Sequence, residues 1–162
     1  MDLITRLFIA AVSSVAGSLG GLFFSKRLKA RAEYYDALIR FINHILSEVR
    51  FRKNPIKAIV QDFMNIGETP LTKNLSEYSS AADPKNPALS RGVLKPAEAG
   101  EIKLFLSSLG TLDSETQVFE LDAYKEKFSL HARKTADRRE KFSSMYVKLG
   151  FFAGLAAGIL IL

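Results

Sequence analysis

The sequence predicts an all-α protein, a cytoplasmic helical bundle flanked by an N-terminal and a C-terminal transmembrane helix. Three observations lead there. Both ends are apolar and uncharged, from Leu7 to Phe24 and from Leu149 to Leu162. Each uncharged run is bordered by Lys and Arg. The interval between them carries apolar side chains at helical spacing, punctuated by Asn-Pro and Thr-Pro, with no β-rich run. The boundaries that follow are 1–25 for the first membrane helix, 26–147 for the cytoplasmic domain with a loop near 79–94, and 148–162 for the second membrane helix.

The run from Leu7 to Phe24 spans roughly 27 Å as a helix, close to the ~30 Å hydrocarbon core of a bilayer. Lys26, Arg27, Lys29 and Arg31 follow it at once, which places its C-terminal end at the cytoplasmic interface. Ser14-Val15-Ala16 has the small-x-small form of a signal-peptide cleavage site, but the apolar run continues past it into the basic cluster. A buried core helix would need a larger domain around it than 162 residues supply. Ser13, Gly17 and Gly21 are each four apart, a face of small residues on which another helix packs closely.

From Ser25 to Lys53 the chain reads as one amphipathic helix, with no Gly or Pro to part it from the membrane run. Leu28, Tyr35, Ile42 and Val49 recur every seven residues, and Ala32, Ile39 and Leu46 lie beside them, as do Leu38 and Ile45. Glu33, Asp36, Arg40, Asn43, Ser47 and Arg50 form the opposite face. Asn54-Pro55 ends this helix and starts a second, with Asn54 as the expected cap and Ile56, Ile59, Val60 and Phe63 inward. Thr69-Pro70 repeats the device for a third helix bearing Leu71, Leu75 and Tyr78. Ser79 to Gly92 is poor in large apolar residues and reads as a mobile surface loop.

A fourth helix starts at Pro96, with Ile102, Phe105, Leu106 and Leu109 inward, Leu94 packing at its entry, and Gly110 as its stop. The last helix opens at Ser114, where Ser114 and Gln117 have capping-box spacing. Its seam runs through Val118, Leu121, Tyr124, Phe128, His131, Ala132, Thr135, Phe142, Tyr146 and Leu149, and is interrupted at Thr135, Arg138 and Arg139, so its middle is expected to face water or a partner. The run from Leu149 spans about 21 Å alone, and Met145, Tyr146 and Val147 extend it backwards while Lys148 snorkels to the interface. Gly150, Gly154 and Gly158 repeat the four-residue spacing, a match for the Ser13-Gly17-Gly21 face in antiparallel packing.

The composition also narrows function. A net charge of +6 fits a polyanionic partner. Its crowding beside apolar runs favours membrane lipid, and no aromatic interleaving supports nucleic acid. With no Cys there is no disulfide, thiol catalysis or thiolate-bound metal. No phosphate-binding glycine loop occurs, and the two histidines, His44 and His131, sit on separate helices that could share a seam. Glu98, Glu101, Glu120, Asp122 and Glu126 read as caps or solvated faces. The expectation is therefore no catalytic residue, no cofactor and no metal, with homo-oligomerisation left open.

Four stretches in order carry a resemblance. They are Phe24-Ser25-Lys26-Arg27-Leu28-Lys29-x-Arg31, Glu48-Val49-Arg50-Phe51-x-x-Asn54-Pro55-Ile56, Leu109-Gly110-x-x-Asp113-x-x-x-Gln117 and Met145-Tyr146-x-x-Leu149-Gly150. Together they resemble the stage III sporulation protein AB family over nearly the whole length. The family tends to Tyr at Phe51, Thr-Pro-Leu at Asn54-Pro55-Ile56 and an acid at Lys57. The family is similar to the F-type inner-membrane platform proteins of type II secretion and type IV pilus systems. The resemblance implies a non-enzymatic platform in the channel between mother cell and forespore, working with a cytoplasmic motor ATPase and other channel subunits in the mother-cell membrane. The alternatives are a small membrane adaptor or sensor unrelated to secretion and, weakest, an enzyme using the acids near Glu98 and Glu120.

Overall fold

In the computed structural model the backbone is described over 3–51 and 54–161, and side chains at 23, 25–51, 54–141, 145, 148, 149 and 152. Five helices and no strand occur among the described residues: α1 Leu3–Phe51, α2 Ile56–Ile66, α3 Thr72–Ser79, α4 Pro96–Ser108 and α5 Ser114–Ile161. The all-helical class and the helix order match the sequence reading. Among the described residues no helix is long and apolar enough to cross a membrane. The small-residue faces at Ser13, Gly17 and Gly21 and at Gly150, Gly154 and Gly158 lie outside the residues whose side chains are described.

The chain divides into two compact units. One comprises Met1–Lys29 and Lys134–Leu162, and in it Phe23, Lys26, Arg27, Lys29, Met145, Lys148, Leu149 and Phe152 are exposed. Thr135 also belongs here and is buried, which corrects the expectation that it marks a solvent-facing break; Arg138 and Arg139 are exposed.

The other unit, Ala30–Arg133, is a helical bundle with a single hydrophobic core. The apolar stripe of α1 does enter it: Tyr35, Leu38, Ile42, Ile45, Leu46 and Val49 are buried, while Glu33, Asp36, Arg40, Asn43, Ser47 and Arg50 are exposed. Phe105 of α4 sits among aromatic rings from two other helices. Its ring centroid is 6.5 Å from Phe41 on α1, and 5.1 Å from Tyr124 and 5.6 Å from Phe128 on α5, all edge-on. This geometry sets the positive ring edge against the negative face and adds to the burial energy.

Two local expectations change. Thr69 is not a helix cap. Its N–H donates to Thr72 Oγ1 at 2.9 Å, and Thr72 N–H donates to Thr69 O at 3.0 Å, so the pair closes a turn ahead of α3. The stretch expected to be a mobile loop is tied down at Ser90. Glu77 accepts from the Ser90 N–H at 2.6 Å and from its hydroxyl, and Asn74 Nδ2 donates to Ser90 O at 2.9 Å. Asn74 in turn accepts from the buried Tyr34 hydroxyl at 3.2 Å. Pro87 is buried as well, so the segment is fastened to the bundle at two points.

Candidate functional site

The start of α2 lies against the turn that joins α4 to α5. Pro55 occupies the cap position of α2 with φ −59° and ψ 139°, and no side chain caps the helix. Asn54, expected to cap, instead turns back to α1 and donates through Nδ2 to the buried carboxylate of Glu48 at 2.9 Å. Burial explains the choice: Glu48 loses water on folding, and a carboxylate acceptor left bare there would cost more than a bare helix start.

Gly110 takes φ +74°, a left-handed conformation, and a Cβ at this position would lie 3.1 Å from Ile56 Cγ1. Its N–H donates to Gln117 Oε1 at 2.8 Å. The capping box expected at Ser114 therefore does not form, because Gln117 is engaged by Gly110. Asp113 is the cap instead, accepting from the Thr116 N–H at 3.1 Å, and those Thr116 contacts hold its carboxyl below the usual range.

These contacts frame a cleft of about 610 Å³. Val49, Pro55, Ile56, Leu109 and Leu112 supply apolar wall, and Lys57 and Lys85 stand on it with Asp83. Gln117 lines the cleft and is 3% exposed, and its Nε2 has no hydrogen-bond partner. The second and third stretches of the resemblance thus converge, for Val49, Asn54, Pro55, Ile56, Leu109, Gly110 and Gln117 all line one cleft. Sequence reading treated Asn54, Pro55, Gly110 and Gln117 as helix stops and starts and Val49, Ile56 and Leu109 as inward apolar positions, and their spacing along the chain gave no sign that they meet.

A second polar cluster joins α1, α4 and α5. Glu98 is buried, accepts from the Lys95 N–H at 3.0 Å as the cap of α4, and is ion-paired with Arg31. His131 lies between two carboxylates, with Nδ1 3.9 Å from Glu98 and Nε2 3.4 Å from Glu101. Lys127 is 3.4 Å from Glu101, and the His131 ring stacks on Tyr35 at 5.7 Å. Burial raises the Tyr35 hydroxyl above its ordinary value, against the lowering effect of Arg31. Glu98 is thus no solvated acid. The legible signal for it is Pro96-x-Glu98, a helix start with an acid placed to reach back to the cap N–H.

Of the basic residues expected at a membrane interface, Lys26, Arg27, Lys29 and Lys148 are exposed. Arg31 is placed differently: its side chain is 12% exposed and turned onto Glu98. The His44 ring packs 5.8 Å from Phe63 of α2, whereas the His131 ring stacks on Tyr35. Among the described residues no group of His, Cys, Asp and Glu is arranged to hold a metal ion.

Fold and site together define an all-helical domain whose distinctive surface is a cleft at a helix corner. The chain belongs to the stage III sporulation protein AB (spore_III_AB) family, whose model matches residues 6–162. No curated protein and no solved structure matches it.

Proposed function

We propose that the chain is a non-enzymatic platform subunit of the channel complex between mother cell and forespore, coupling a cytoplasmic motor ATPase to the channel. The observation that carries this reading is the family match over residues 6–162. The two uncharged ends support a two-pass anchor in the mother-cell membrane, with the small-residue faces packing the two helices together. The exposed Lys26, Arg27, Lys29 and Lys148 favour anionic lipid headgroups on the cytoplasmic side. The Ala30–Arg133 bundle then presents its surface to partner proteins in the cytoplasm.

Site-directed photocrosslinking along residues 57 to 141 in sporulating cells tests the assembly. The expected result is capture of the motor ATPase or a channel subunit, and recovery of neither would sink the reading. Topology has its own test, since the chain has no native Cys to interfere. Ser80→Cys should resist a membrane-impermeant maleimide in intact cells and react after lysis. Labelling from outside would reverse the orientation.

A further inference from the structure

The corner cleft holds hydrogen-bond donors and positive charge that the chain itself leaves unanswered. The start of α2 opens onto it with no side-chain cap and no acid in its first turn. The first N–H groups of a helix sum to a partial positive charge, and at α2 the Ala58 N–H is met by Pro55 O at 2.9 Å while no side chain meets those of Ile56 and Lys57. The chain meets this need elsewhere, with Glu98 at α4 and Asp113 at α5. Lys57 is exposed on that first turn, and Lys85 stands on the wall contributed by the 79–94 segment. The acid in the lining, Asp83, accepts the Lys85 N–H through Oδ1 at 2.9 Å, and its charge offsets one of the two lysines and leaves the lining net positive.

Gln117 is an independent sign. It is 97% buried, lines the same cleft, and spends its oxygen on Gly110, which leaves the Nε2 hydrogens with no acceptor in the chain. A buried donor without a partner carries a desolvation penalty, which an oxygen reaching it from the cleft would remove. Val49, Pro55, Ile56, Leu109 and Leu112 supply apolar wall beside the polar Asn54, Ser107, Thr111 and Ser114, and a volume of about 610 Å³ admits a few side chains rather than a folded element.

We infer that the cleft binds an acidic segment of a partner protein, with a carboxylate at the start of α2 between Lys57 and Lys85 and a neighbouring apolar side chain against Ile56 and Leu109. The inference rests on the platform reading for the existence of a protein partner. A polyanion would leave the apolar wall unused, whereas a peptide alternating acid and hydrophobe satisfies both.

The test uses the full chain in neutral detergent micelles and a short fluorescein-labelled peptide of repeating Leu-Glu-Phe, with a Leu-Gln-Phe twin. Anisotropy titration should show saturable binding of the Glu peptide, weakened about tenfold or more in the Gln twin, as expected on losing a charge-assisted hydrogen bond. Lys57→Glu and Lys85→Glu should each weaken it by a similar factor, and Lys57→Arg should keep it. Both lysines lie on the surface, so their variants keep the fold, which circular dichroism checks. No saturable binding, equal affinity for the two peptides, or indifference to Lys57→Glu would overturn the proposal. So would loss of binding to phosphatidylglycerol vesicles in Lys57→Glu with the peptide unaffected, which would make the lysine a lipid contact. Peptide binding without crosslinked channel subunits would remove the platform reading alone, and crosslinked subunits without peptide binding would remove the cleft alone.

Discussion

The bundle contains two polar regions with opposite bookkeeping. In the cluster around Glu98 the Arg31 guanidinium is paired with Glu98 and Lys127 with Glu101, and the His131 ring lies between the two carboxylates, although the buried Arg31 Nε has no hydrogen-bond partner. At the corner around Gln117 the chain leaves a helix start uncapped and an amide donor without an acceptor. A matched pair under little solvent, Arg31 and Glu98 at 12% and 8% exposure, is what a structural tie between α1 and α4 needs. Unmatched donors beside an open cleft are what a surface that meets a second molecule needs. Both regions hold a buried nitrogen without a hydrogen-bond partner, Arg31 Nε and Gln117 Nε2, so the contrast lies in the paired charge of the first and the uncapped helix start of the second.

The largest expected effect comes from breaking the matched cluster. Glu98→Ala strands the Arg31 guanidinium, 12% exposed, and removes the cap of α4 in one step. Losing one partner of a buried pair costs about 3–5 kcal/mol, far more than a surface pair. Chemical denaturation of the full chain in detergent should show that loss. Replacing both partners, Arg31→Met with Glu98→Leu, should recover a good part of it, because no charge is then left stranded. Equal losses in the single and double variants would mean that the cap, not the ion pair, is what Glu98 supplies.

Next in size is Gly110→Ala. At φ +74° an L side chain strains the backbone by about 1–2 kcal/mol, and its Cβ would press on Ile56 at 3.1 Å. The variant should unfold at lower denaturant and, because Ile56 is cleft wall, should also reshape the corner. Gly92→Ala is the control. Its φ is +53° but no atom lies within 4 Å of the added Cβ, so it should carry the backbone strain without the contact. The difference between the two variants isolates the Ile56 contact.

Much of this was legible in the sequence. The helix order, the starts at Pro96 and Ser114, and most inward residues follow from apolar period and from Pro and Gly, but Tyr34, Ala37 and Phe41 of α1 are buried outside the stripe that period marks. The caps expected at Asn54 and at Ser114 do not form, because capping rules describe a helix end in isolation, whereas the capping role open to Glu98 is met. Asn54 prefers the Glu48 carboxylate, and Gln117 prefers the Gly110 N–H, and both preferences are set by neighbours that only the packed chain supplies. For the same reason Glu98 reads as one more acid on a helix until Arg31 and His131 arrive from α1 and α5. The cleft is built from turns lying far apart in the chain, so no local pattern announces it.

Glu77 sharpens the comparison through pH. Burial raises its pKa, but the hydroxyl and N–H of Ser90 outweigh that and hold it below the usual carboxylate range. A carboxyl whose folded value is depressed stabilises fully above its unfolded pKa of about 4.3, and the contribution is lost as pH falls toward the folded value. Glu77→Gln should therefore cost on the order of 1 kcal/mol at neutral pH. The gap between variant and parent should narrow on acidification below about pH 4. A gap that held constant with pH would mean the contact is one of shape rather than charge.

The smallest effect tests whether charge matching matters only under cover. Arg50 and Asp122 are 2.9 Å apart, a shorter and better-aligned contact than the Lys127 pair, yet their side chains are 48% and 50% exposed. In water the Coulomb gain is small and two long side chains lose freedom to hold one geometry, so exposed pairs contribute roughly 0–1 kcal/mol. Arg50→Ala should shift the denaturation midpoint barely beyond error, and added salt should erase the shift. The Glu98 variants should keep their deficit at the same ionic strength, because a buried pair is screened much less. A loss at Arg50 as large as that at Glu98 would break the distinction between the two regions, for it would show that distance rather than burial sets the worth of a charge in this bundle.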